Sequence, residues 1–107
     1  MSSASLAGES AYRLRIDSSQ DGGKLTLTPY VDGPAGARLR YEVKSDREGA
    51  AGRSSTSQGG GIAVGDSGSA KLSTLSFSVA PQDRYTVTVR VFEGTKMVAE
   101  KSLTVPQ

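Results

Sequence analysis

Tyr85-Thr86-Val87-Thr88-Val89-Arg90-Val91-Phe92 is the stretch that decides the fold. Successive side chains of an extended chain point to opposite faces, so Tyr85, Val87, Val89 and Val91 share one side. Thr86, Thr88, Arg90 and Phe92 share the other, which makes this a strand with one buried face. Downstream, Glu93-Gly94-Thr95 predicts a hairpin onto a last strand from Lys96 to about Val105, closed by Pro106. Upstream, Pro81-Gln82-Asp83-Arg84 makes a corner, and before it Leu75, Phe77 and Val79 alternate on one face. Leu72 has the opposite parity, which predicts a bulge or bend near Ser73-Thr74.

The same period of two recurs in the first half of the chain, and helical periodicity is weak throughout. Tyr12, Leu14 and Ile16 mark a first strand, followed by the turn Asp21-Gly22-Gly23. Leu25, Leu27 and Val31 mark a second, which Pro29 is expected to interrupt. After the turn Asp32-Gly33-Pro34-Ala35-Gly36, Leu39, Tyr41 and Val43 alternate with Arg38, Arg40, Glu42 and Lys44. Gly65-Asp66-Ser67-Gly68 is a further turn. About seven short strands separated by frequent turns predict an all-β fold, an immunoglobulin-like antiparallel β-sandwich. Tyr85 stands where such a fold places its corner tyrosine, without the usual cysteine nearby. The 107 residues fit one domain, expected over 12–106, with 1–11 as a disordered N-terminal segment. The amino end lacks the apolar core of a signal peptide and reads as the start of a mature or recombinant chain.

Composition removes several function classes. With no cysteine, thiol nucleophiles, disulfides and zinc-thiolate sites are absent. With no histidine, the usual general base near neutral pH is missing, and none of the serines has one to activate it. Ser-Lys dyads through Lys71, Lys96 or Lys101 lack a motif that would keep a lysine neutral. Asp17, Asp21 and Asp32 read as turn aspartates rather than calcium ligands, since no run spaces its oxygens as a calcium loop does. Gly59-Gly60-Gly61 lacks the Lys-Ser and helix of a phosphate-binding loop. No catalytic residue, metal or cofactor is therefore expected. A net charge of +2 is too small for a nucleic-acid-binding protein, and no apolar run approaches the ~20 residues of a membrane span.

Residues 49–69 form a stretch of Gly, Ser and Thr that admits two readings. One is a flexible connection plus a polar edge strand around Arg53 to Gln58. The other is an edge that pairs with an incoming strand by augmentation. A long connection of this kind inside a compact domain is usually functional or mobile.

Two blocks within and beside this stretch carry a family pattern. The first is Arg47-Glu48-Gly49-Ala50-Ala51-Gly52-Arg53-Ser54-Ser55-Thr56-Ser57-Gln58. The second is Lys71-Leu72-Ser73-Thr74-Leu75-Ser76-Phe77-Ser78-Val79-Ala80-Pro81-Gln82-Asp83-Arg84, leading into the valine strand. Together they resemble the CsgC/CsgH family of periplasmic proteins that hold back polymerisation of the curli amyloid subunit. The resemblance covers roughly the middle half of the chain. It rests on Arg47, Glu48, Gly49, Gly52, Gln58, Pro81, Asp83 and Arg84 in that order and spacing. It implies a β-sandwich chaperone and a periplasmic location, with a partner that is the unfolded or early-oligomeric curli subunit. The enteric branch carries a Cys-x-Cys pair where this sequence has Ala37 and Leu39, so the cysteine-free CsgH branch matches better. Gly49 and Gly52 are expected to allow a tight turn with positive φ. Arg47 and Glu48 are expected to pair locally or to contact the client.

Composition and periodicity supply no partner, but they do supply a surface that suits one. Arg38, Arg40 and Lys44 lie on the face opposite Leu39, Tyr41 and Val43, and Arg90 points away from the valine face of its own strand. If those two strands are neighbours, the four cations form one exposed patch. Arg13 and Arg15 form a smaller one. Such a patch either keeps the sheet soluble or captures an acidic, disordered client by long-range attraction that salt weakens. An alternative is an extracellular carbohydrate-binding or adhesion module, but an aromatic fraction of 6% supplies no platform, and Tyr12, Tyr41 and Tyr85 fall on core faces. A structural domain without a client is the remaining class. No membrane insertion is expected, and the protein is expected to be a monomer.

Overall fold

The computed structural model describes residues 12–50, 52–78 and 82–105. Within them the chain forms β1 (Arg13–Asp21), β2 (Lys24–Asp32), β3 (Arg38–Gly49), β4 (Gly52–Ala63), β5 (Ser69–Lys71), β6 (Leu75–Ser78), β7 (Arg84–Glu93) and β8 (Lys96–Val105). They make two antiparallel sheets. In one, β2 lies between β1 and an edge shared by β5 and β6; the other has the order β4-β3-β7-β8. The expected sandwich is present with eight strands rather than seven. The extra one, β5, is three residues long, too short to show alternation in sequence.

The valine strand sits at the centre of the fold. Val87, Val89 and Val91 are fully buried, and they pack with Leu39 and Val43 against Leu14, Leu25, Leu27 and Val31 of the opposite sheet. Each such burial contributes about 1.5–3 kcal/mol. Ala37 and Leu39, which stand in place of the Cys-x-Cys pair, both face this core. At the start of β7 the Tyr85 hydroxyl donates to the Ser78 carbonyl at 2.7 Å, and its ring meets Phe77 at 4.7 Å. The corner tyrosine is thus in place without a cysteine neighbour.

One expectation about the strands changes, and one is met. Pro29 does not interrupt β2: it is fully buried, and Ile16 pairs with it across β1. Its carbonyl accepts from the Leu72 N–H at 2.9 Å, so its missing N–H faces the gap where β5 has ended and β6 has not begun. No ladder bond is lost there, which is why an internal strand tolerates it. The bend expected near Ser73-Thr74 is this same gap. It resets the alternation, so that Leu72 and Leu75 are both buried despite their opposite parity. The segment 1–11, the inward position of Val79, the corner proline Pro81 and the closing Pro106 lie outside the described residues.

The stretch around Arg53 to Gln58 is part of a strand. β4 runs antiparallel to β3 over twelve residues without a register shift, from Gly49↔Gly52 to Arg38↔Ala63. It forms one edge of its sheet and is exposed along its length except at Ile62.

Candidate functional site

The outward face of the β4-β3-β7-β8 sheet is the candidate site. Register places its residues in rows across the strands: Arg53, Glu48, Arg84; then Ser55, Asp46, Thr86, Thr104; then Ser57, Lys44, Thr88, Ser102; then Gly59, Glu42, Arg90, Glu100; then Gly61, Arg40, Phe92, Met97. Arg38, Arg40, Lys44 and Arg90 therefore do share one exposed face, because β3 and β7 are neighbours. The face is not uniformly basic. Arg90 Nε bonds Glu100 at 2.7 Å and lies opposite Glu42, while Arg40 bonds Glu42 at 3.0 Å and stacks 4.3 Å from the centre of the Phe92 ring. Among the described residues, Arg38 and Lys44 have no ion-pair partner. What remains is a mixed-charge sheet with a modest cationic excess, largest towards the Arg38 end.

Glu100 escaped the sequence reading because its position opposite Arg90 depends on a register slip between Val91 and Phe92. Glu42 lies between Arg40 and Lys44 on the same face of β3, and that shared parity already held the signal. Arg13 and Arg15 do not make a free patch. Arg15 Nε bonds Asp32 at 2.8 Å, its Nη2 reaches Ser69 at 3.2 Å, and the guanidinium lies over Tyr30. The Arg15 bond holds the Asp32 carboxyl below the ordinary carboxylate value, burial opposes it, and the Ser69 hydroxyl adds to the lowering.

Arg47, Glu48, Gly49, Gly52, Asp83 and Arg84, drawn from two blocks far apart in sequence, meet at the hairpin end of the sandwich. Arg47 Nη2 lies 3.2 Å from Asp83 Oδ2, and the Asp83 side chain is only 10% exposed. Glu48 faces Arg53 across the hairpin and accepts from its Nε at 2.9 Å; Arg84 lies on the other side of Glu48. Arg47 and Glu48 are thus paired locally. Gln58 accepts from Ser73 Oγ at 3.1 Å, tying β4 to the gap between β5 and β6 in the other sheet. Gly52 has φ +120°, as expected of a turn glycine, but Gly49 does not have positive φ. Gly49 is needed for another reason: a β-carbon there would fall on the Asp83 carboxylate. Beside this corner is an open cleft of about 490 Å³ between the sheets, lined by Ser45, Arg47, Ser54, Thr56, Phe77 and Asp83 among others. It holds hydroxyls and one ion pair, and no nucleophile beside a base.

Comparison with known proteins agrees with this architecture. A family model described as "Thin aggregative fimbriae synthesis protein" (Tafi-CsgC) matches residues 6–103. The E. coli curli protein CsgC superposes with a TM-score of 0.69 at 26% identity, over 90% of this chain and 99% of CsgC. The solution structure of R. palustris CsgH gives 0.68 at 20% identity, over 86% and 90% of the two chains, a likeness of fold. A putative β-galactosidase from Bacteroides fragilis gives 0.51 at 14% identity over 15% of its length, again fold alone. No curated protein sequence matches the chain.

Proposed function

The chain belongs to the Tafi-CsgC family of thin aggregative fimbriae synthesis proteins, and from that premise we propose that it acts in the periplasm as a chaperone-like inhibitor of premature curli amyloid formation. Family membership and the likeness to CsgC support a role in curli assembly. The inhibitory mechanism is our own reading of the surface. The partner is the unfolded or early-oligomeric major curli subunit, met through transient surface and electrostatic contacts.

The observation that carries the proposal is the outward face of the β4-β3-β7-β8 sheet, where Arg38 and Lys44 stand without ion-pair partners among the described residues. A cationic excess on a rigid sheet raises the encounter rate with an acidic, disordered chain, and salt screens the attraction. Amyloid nucleation needs extended segments to meet edge to edge. Because nuclei are far rarer than monomers, weak contacts with early oligomers suffice, and inhibition below equimolar amounts follows. No part of this requires a thiol, and the chain has none.

The test is thioflavin-monitored polymerisation of the curli subunit with and without the protein. The parent lengthens the lag at substoichiometric amounts. The double variant Arg38→Glu/Lys44→Glu lengthens it less, and added salt narrows the difference between the two. A parent that leaves the lag unchanged, or a double variant equal to the parent at every salt concentration, refutes the electrostatic mechanism.

A further inference from the structure

We propose that β4 is a strand-accepting edge, and that its occupant is an uncharged extended segment of the amyloid subunit. This rests on the reading of the protein as a curli inhibitor and adds the place and mode of contact. The inference comes from comparing the sheet edges. An exposed edge presents unpaired N–H and C=O groups at every second residue, and proteins normally blunt it with charges, proline, bulges or short strands.

Three of the edges are protected in these ways. β1 carries Arg13, Arg15, Asp17 and Asp21. The edge opposite it is broken into β5 and β6, of three and four residues. β8 carries Lys96, Glu100 and Lys101, and its pairing with β7 has a register irregularity at Val91/Phe92. β4 has none of these protections. It is twelve residues long, has no proline and no register shift, and pairs only with β3 among the described residues. Its single charge, Arg53, lies at the hairpin end and is bound to Glu48.

The same features select the occupant. A charged peptide laid along β4 would lose hydration and meet almost no counter-charge, whereas an uncharged one would not. Cross-β segments are extended, low in net charge and free of proline. At Gly59-Gly60-Gly61 the strand has no side chains of its own. Gly59 lies against the Tyr41 carbonyl, where a β-carbon would clash, and Gly60 lies against the Tyr41 ring. A large side chain on the incoming strand would cover the bare backbone there, beside Tyr41. Once seated, the segment is the outermost strand of a sheet whose far edge is charged and irregular, so the stack cannot extend past the protein on that side.

The experiment combines amide hydrogen exchange with polymerisation kinetics, using the curli subunit freshly diluted from denaturant. Exposed Ser57 is replaced in two ways, Ser57→Lys and Ser57→Glu, with folding checked by circular dichroism and cooperative unfolding. The inference expects β4 amides of the parent to gain protection when the subunit is added. It also expects both variants to lose about half or more of the parent's delay, because a charge of either sign blocks edge pairing. If only the glutamate variant is weakened, charge steering alone acts and β4 is not the contact. If the parent delays polymerisation but β4 gains no protection, the edge assignment fails while the function stands. If the parent gives no delay, both fail. Protection of β4 that rises with protein concentration in the absence of subunit would mean a second copy occupies the edge, which also overturns the proposal.

Discussion

Asp83 fills the space that a β-carbon at Gly49 would take, and its carboxylate is bonded there to Arg47 at 3.2 Å. Gly49 ends β3 and Asp83 precedes β7, so the contact fastens the β3–β4 hairpin to the corner that leads into the valine strand. Three family-pattern residues thereby meet at one corner of the fold.

Gly49→Ala should destabilise the domain by about 1–3 kcal/mol, the usual cost of forcing an atom into a filled site. Urea unfolding of Gly49→Ala, Asp83→Ala and the double variant measures it. The cost of the alanine at 49 should shrink in the Asp83→Ala background, because the clashing carboxylate is gone; equal costs in both backgrounds would contradict the geometry.

Tyr85→Phe should lower stability by about 1 kcal/mol, since it removes the bond to the Ser78 carbonyl and keeps the ring contact with Phe77. The loss stays moderate because Ser78 is exposed and its carbonyl can rehydrate. Chemical denaturation at neutral pH is sufficient to detect it.

Acid should reveal the Arg15–Asp32 pair. A carboxyl held below its ordinary value contributes stability that is complete above the unfolded value, about 3.9, and disappears as pH falls through the lower folded value. The parent should therefore lose part of its thermal stability below about pH 4, and Asp32→Asn should show a flatter profile over that window. Thermal scans across the acid range distinguish the two.

Charge reversals on the outer sheet should differ with position. Arg90→Glu places a carboxylate beside Glu42 and Glu100, whereas Arg38→Glu lies opposite Ala63 and creates no such neighbours. The former should melt a few degrees lower and the latter close to the parent. Calorimetry of the single variants checks the order, and it fixes which reversals are safe to use in polymerisation assays.

The buried faces could be read along the chain because alternation is a local property. Tyr85, Val87, Val89 and Val91 face the core as their spacing requires, and Gly94, with φ +63°, turns the last hairpin where its type suggests. The shared face of Arg38, Arg40, Lys44 and Arg90 followed once two strands were taken as neighbours. The electrostatic state of that face was not legible. Whether Arg90 meets Glu100 depends on a slip in register, and whether Arg15 is free depends on which strand lies beside β1.

What the chain determines by itself is the set of strands, their inward sides and the absence of thiol or imidazole chemistry, since period and composition need no partner. What only the tertiary structure decided is which cations are neutralised, why residue 49 must lack a side chain, and which edge remains open. Each of these is a relation between segments distant in sequence. Turns, a register slip and the break between β5 and β6 bring those segments together, and strand periodicity carries no information about where they meet.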